Sequence, residues 1–128
     1  MEIKKALYET PVPSVDFSIE AECCGNVIRF AYQKDGLEFR SGLRFKRVKA
    51  TRSRSESACT VWHIDAYDTL MEIESSQWAD EVRADTADKQ RRLGQTWTMK
   101  HYIIYLDSVG CFEFLAESWE VLDEGPEK

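Results

Sequence analysis

The sequence predicts an α+β fold: a mostly antiparallel, curved sheet of about six to eight strands, with one principal helix near residues 76–92. Three observations carry this. Short stretches alternate apolar and polar residues with a period of two, as half-buried strands do. One stretch instead places acids early, bases late and a capping residue at each end, as a helix does. Four Trp, five Tyr and six Phe in 128 residues give the aromatic content that pleated sheets favour.

Residues 1–10 read as an N-terminal strand, set apart from the rest by Pro11 and Pro13, since proline does not belong inside a sheet. In 16–23, Phe17, Ile19, Ala21 and Cys23 share one face, and Asp16, Ser18, Glu20 and Glu22 the other. A turn containing Gly25 leads to a strand over 27–33, with Ile28, Phe30 and Tyr32 on one face. Asp35-Gly36 is a hairpin signal, because glycine takes a positive φ without a Cβ clash. The returning strand has Leu37, Phe39, Leu43 and Phe45 at odd positions, then Val48 and Ala50 at even ones. A parity change beside Gly42 predicts a bulge or kink.

Residues 51–57 alternate Arg52, Arg54 and Glu56 with Ser53, Ser55 and Ser57, a solvated strand end or a loop. Residues 59–64 resume apolar strand character through Val61, Trp62 and Ile64, and 69–74 form a short strand with Leu70, Met71 and Ile73. Ser75-Ser76 offers an N-cap. Asp80, Glu81, Asp85 and Asp88 then precede Lys89, Arg91 and Arg92, with Gly94 following as a C-cap. That order complements the helix dipole. Trp78 and Val82, four apart, give the helix a narrow docking stripe.

The strand over 96–107 is apolar on both faces, with Ile103 and Tyr105 on one and Tyr102, Ile104 and Leu106 on the other. Two-sided apolarity predicts a central strand covered on both sides. A turn at 107–110 leads to the strand 111–116, with Phe112 and Phe114 on one face. Residues 118–122 are a last short strand or helical turn, and 123–128 a frayed tail. The expected core is Phe17, Ile19, Phe30, Phe45, Ile104, Leu106, Phe112 and Phe114.

At 128 residues the chain has the length of a single domain, 1–128. It is 43% hydrophobic and 31% charged, which places it among globular rather than disordered chains. No apolar run approaches the ~20 residues of a membrane helix, and 1–10 lacks the apolar core of a signal peptide. A cytoplasmic location is therefore expected. Cys23, Cys24, Cys59 and Cys111 form no C-x-x-C pair and read as reduced core thiols.

The strongest functional signal is the stretch 44–54, RFKRVKATRSR. It carries Arg44, Lys46, Arg47, Lys49, Arg52 and Arg54 and no acid. The chain has 17 bases against 23 acids, so without these six it holds 11 against 23. A basic ribbon on an acidic protein can meet an anionic partner or pair with the protein's own acids. These six residues are the candidate binding site.

Signals for catalysis are weaker. The six glycines are too scattered for a phosphate-cradling loop, and no serine sits in G-x-S-x-G. Cys59 and Cys111 with His63 and His101 have the chemistry of zinc ligands or of a thiol–imidazole pair. No metal-ligand spacing supports them, so no metal and no cofactor are expected. Asp65, Asp68, Glu72 and Glu74 cluster, but 23 acids make clusters unavoidable.

The segments WHIDAYDTLMEIESSQW (62–78) and HYIIYLDSVGCFEFLAESW (101–119) resemble patterns in small uncharacterised bacterial single-domain proteins. The shared shape is a strand ending in a D-S-x-G turn, then an aromatic strand ending in A-x-S-W. In size and charge the chain also resembles immunity-type binding proteins, at the level of fold alone. The resemblance implies a binding role and transfers no site residue. The resulting expectation is a small cytoplasmic, non-enzymatic binding or regulatory protein, acting through a protein–protein surface on another protein or on a second copy of itself. The alternatives are a small enzyme or ligand binder with a Cys/His/acid pocket, and a nucleic-acid binder using the 44–54 ribbon.

Overall fold

Among the described residues, the alternating stretches become eight strands in two antiparallel sheets, with a few short helices. The computed structural model describes residues 2–10, 26–106 and 109–126, apart from the side chains of 32–34 and 123–126. The strand expected over 16–23, with Phe17, Ile19 and Cys23, lies outside the described residues, as does Cys24.

The larger sheet contains β1 (Ile3–Glu9), β4 (Ala50–Ser55), β5 (Thr69–Glu74), β6 (Lys100–Leu106) and β7 (Gly110–Ala116), in the order β1-β5-β6-β7-β4. The smaller sheet contains β2 (Val27–Lys34), β3 (Leu37–Lys46) and β8 (Ser118–Pro126), with β3 in the middle. The β2–β3 hairpin turns at Asp35 and Gly36, whose φ values of 54° and 76° are those of the favoured hairpin turn. The pairing of β3 with β8 shifts register between Arg40 and Ser41, an irregularity beside Gly42 as expected, and the parity change near residue 48 is a corner. Arg47 takes a φ of 53°, and the chain leaves β3 in one sheet to enter β4 in the other. β8 stays paired with β3 as far as Pro126, opposite Phe39, within the segment expected to fray.

β6 is the central strand, as its two-sided apolarity requires. Tyr102, Ile104 and Leu106, with Leu70, Phe114 and Ala116, pack against Ile28, Phe30, Leu43 and Phe45 of the smaller sheet. Phe45 stacks on Phe114 at 4.1 Å. Of the expected core residues within the described chain, Phe30, Phe45, Ile104, Leu106 and Phe114 are buried, and Phe112 packs against them half-buried. Gly110 is required where β7 meets β4. Its φ is 135°, and a Cβ there would lie 2.1 Å from the Arg54 carbonyl oxygen.

The opposite face of the larger sheet carries the helices: α1 (Val61–Ile64), α2 (Gln77–Asp85) and α3 (Ala87–Leu93). Two expectations change here. The 59–64 segment is not a strand; it contains α1, because Thr60 and His63 cap one another. Thr60 N donates to His63 Nδ1 at 3.0 Å, and the His63 N–H bonds back to the Thr60 side chain, the reciprocal pattern of a capping box. The single principal helix near 76–92 is two helices, divided at Thr86. There the backbone departs to φ −108°, ψ 6°, and the hydroxyl donates to the Val82 carbonyl at 2.7 Å, a back-bond that bends helices. The expected caps are present: Ser76 Oγ accepts from Ala79 N at 3.0 Å, and Gly94 ends α3. Trp78 and Val82 dock together beside Ala79, Met99 and Leu115. Among the described residues, no helix is long and apolar enough to cross a membrane.

Candidate functional site

The six bases of the ribbon do not form one row. Arg44 and Lys46 lie on β3, and Arg52 and Arg54 on β4 in the other sheet; Arg47 and Lys49 belong to the corner between them. Most are met by acids of the protein itself. Arg44 and Lys46 both reach Glu120, at 3.2 and 3.4 Å, and Arg47 reaches Glu117 at 3.1 Å. Arg54 donates to the Ala58 carbonyl. Arg52 binds Glu113 through Nε and Nη2, at 2.8 and 2.9 Å.

The corner residues Arg47 and Lys49 line a cleft of about 630 Å³ with Trp97 and Glu117. Lys49 Nζ lies 4.3 Å from the centre of the Trp97 ring, and Lys89 Nζ lies 6.0 Å from it. A chain of bonds sets this wall. Trp97 N donates to Gln90 Oε1 at 2.9 Å. Gln90 Nε2 donates to Thr86 Oγ1, also at 2.9 Å, and Thr86 in turn bonds Val82. The residue that divides the helices therefore also fixes the tryptophan. The cleft combines cations, one aromatic ring and one acid, a chemistry that can receive a carboxylate beside an apolar group.

A second constellation lies under the helices. β7 places Cys111, Glu113 and Leu115 on the helix-facing side, since alternate residues share a face. Glu113 is 2% exposed. Its Oε1 lies 2.7 Å from His101 Nε2, and His101 Nδ1 lies 2.7 Å from Ser76 Oγ. Burial alone would raise the Glu113 pKa, but hydrogen bonds from His101 and Arg52 outweigh it and hold the carboxyl down at about 2. The Arg52 guanidinium is shifted up by its bond to Glu113. The ionised carboxylate accepts from His101 Nε2–H, and Ser76 Oγ and His101 Nδ1 share the next hydrogen bond. Trp78 closes over this chain, 5.1 Å from the His101 ring and 4.3 Å from Arg52 Cζ.

Serine, histidine and acid in series resemble a hydrolytic triad, but this series is sealed. Ser76 is buried, and its oxygen already accepts the Ala79 N–H. A nucleophile needs a lone pair directed at substrate. These residues instead join α2, β6, β7 and β4 in a fully satisfied polar network, the condition for burying one at all.

No protein-family model, curated protein or solved structure matches this chain. Function is therefore read from the chemistry of these residues.

The expected Cys/His set separates. His101 joins Ser76 and Glu113, while Cys59 donates to the carbonyls of Arg54 and Ser55. His63 and Cys111 do come together, and Glu113 joins them: one donor atom from each lies within 4.8 Å of the others, and all three residues are buried. Burial pushes the Cys111 thiol up to about 12. Burial, followed by the Arg54 charge, lowers the His63 pKa. Sequence reasoning missed Glu113 and Trp97. A signal existed for Glu113: it is a lone acid between Phe112 and Phe114 in a strand apolar on both faces, and a buried charge needs partners. Trp97 carried no such mark.

Proposed function

We propose that this chain is a small cytoplasmic, non-enzymatic binding protein that receives an acidic segment of a partner protein in the cleft of Arg47, Lys49 and Trp97. One observation supports this most: the cleft joins an arginine and a tryptophan, residue types that dominate protein–protein hot spots, at a concave corner between two sheets. A role like that of immunity-type proteins, which act by docking, fits the same chemistry. The nucleic-acid alternative is disfavoured by the net charge of −6 and by the spread of the six bases over two sheets; Arg44, Lys46, Arg47 and Arg52 all pair with the protein's own acids, so an acidic segment in the cleft would displace Glu117 from Arg47. Phosphate binding requires cations available to displace the counterions condensed on a polyanion.

The test is affinity capture with immobilised protein, followed by titration of the captured protein against wild type and Trp97→Ala. The substitution is expected to weaken binding at least about tenfold, as hot-spot truncations do, and crosslinks should map to Lys49. Binding of labelled RNA or DNA tighter than about 1 μM near 0.15 M salt, lost on Arg52→Ala and Arg54→Ala, would replace this reading with the nucleic-acid one.

A further inference from the structure

We propose that His63, Cys111 and Glu113 form a binding site for one divalent ion of the zinc type, held by nitrogen, sulfur and oxygen. The site stands apart from the cleft and does not depend on it. It also departs from the expectation of no metal, because the third donor, Glu113, was not among the sequence candidates.

The donors come from two rigid supports. Cys111 and Glu113 are two apart on β7 and share its helix-facing side, while α1 lowers His63 onto them. Their donor atoms lie within 4.8 Å of one another. A tetrahedral zinc ion with bonds of about 2.0–2.3 Å holds its ligands about 3.3–3.8 Å apart, so small side-chain rotations close the site.

Two of the three donors, Glu113 and His63, also have the outer support that metal ligands use. A carboxylate offers about four acceptor positions. On Glu113, His101 and Arg52 Nη2 occupy Oε1, and Arg52 Nε takes one position on Oε2. One position on Oε2 remains for an ion. His63 Nδ1 is held by Thr60, whose Oγ1 lies 2.9 Å away, leaving Nε2 as the nitrogen available to the ion. Ligation through Nε2 moves the ring proton to Nδ1, which then donates to Thr60 Oγ1 and no longer accepts from the Thr60 N–H, so binding exchanges that half of the capping box for the bond to the ion. The Cys111 thiol gives its proton to solvent. One thiolate and one carboxylate then balance the dication. With three protein ligands, the fourth position is left for water. All three donors are buried, so the ion would brace α1 against β7 rather than act on a substrate.

The experiment uses full-length protein stripped with a chelator and then titrated with zinc or cobalt. One ion per chain is expected, with a rise in melting temperature and, for cobalt, a thiolate charge-transfer band in the near ultraviolet. The band should persist in a Cys23→Ser/Cys24→Ser/Cys59→Ser variant, where Cys111 is the only thiol. It should vanish in Cys111→Ser, and His63→Gln should weaken binding at least tenfold. Failure of folded wild type to bind, binding without the charge-transfer band, or loss of the band when Cys111 is the only thiol would each overturn the proposal. The triple variant keeps the test decisive even if Cys111→Ser does not fold.

Discussion

On β6, Tyr102, Ile104 and Leu106 face the smaller sheet, while His101, Ile103 and Tyr105 face the helices; on β7, Phe114 and Ala116 stand against Cys111, Glu113 and Leu115. The same two strands thus line two different interiors. The first is dry and held by area, where any well-fitting apolar side chain contributes. The second contains an ionised carboxylate, an imidazole and a hydroxyl, each usable only because the next is present. An apolar layer tolerates approximate matches, whereas a buried polar layer has to be complete.

The largest expected effect lies on the dry face. Ile104 is fully buried on the central strand, and Ile104→Ala should destabilise the fold by about 2–5 kcal/mol in chemical denaturation. A change within error would mean that β6 is not the centre of the core.

Next is Glu113→Gln, which removes the charge that orders Arg52 and His101. Arg52 is 46% exposed on its side chain and can turn to water, so the loss should sit below the usual range for a broken buried pair, at about 2 kcal/mol. The pH dependence has a definite sign. The Glu113 pKa is lowered from 4.5 to about 2 on folding, so its contribution is present above pH 4.5 and is lost as pH falls towards 2. Metal-free wild type should lose melting temperature across that window more steeply than Glu113→Gln. Identical slopes would show that the carboxylate is not paired as described.

The smallest effect is at the end of the polar series. Ser76→Ala removes the α2 cap and the His101 partner, and should cost about 1–2 kcal/mol, read by denaturation. A loss as large as that of Ile104→Ala would erase the contrast between the two faces.

The contrast also marks what could be read from sequence. The dry layer was legible because period-two alternation points each side chain: Phe30, Phe45, Ile104 and Leu106 follow directly. Ser76 and Gly94 were legible because helix ends have fixed chemical needs. The 59–64 segment was misread because a short apolar run has no periodicity that separates helix from strand. There the deciding group was His63, filling the place that glutamate or glutamine usually takes in a capping box. The division at Thr86 depends on one hydroxyl choosing a backbone carbonyl. The candidate sites were least legible. Arg47, Lys49 and Trp97 meet only because β3 hands over to β4 between sheets, and Glu113 finds Arg52 and His101 only through strand register.

That register has a kinetic side. Ile3 pairs with Glu74, and Lys46 with Ser118, so each sheet is completed by segments distant along the chain. Hairpins such as β2–β3 close locally, in about 1–10 μs. Distant pairings must first surrender the freedom of the intervening chain, and folds dominated by them form in about milliseconds to seconds. These distant closures, with that of Ala50 on Leu115 between β4 and β7, therefore set the pace of folding, and until β8 docks, the central strand of the smaller sheet has an open edge on which another chain could pair.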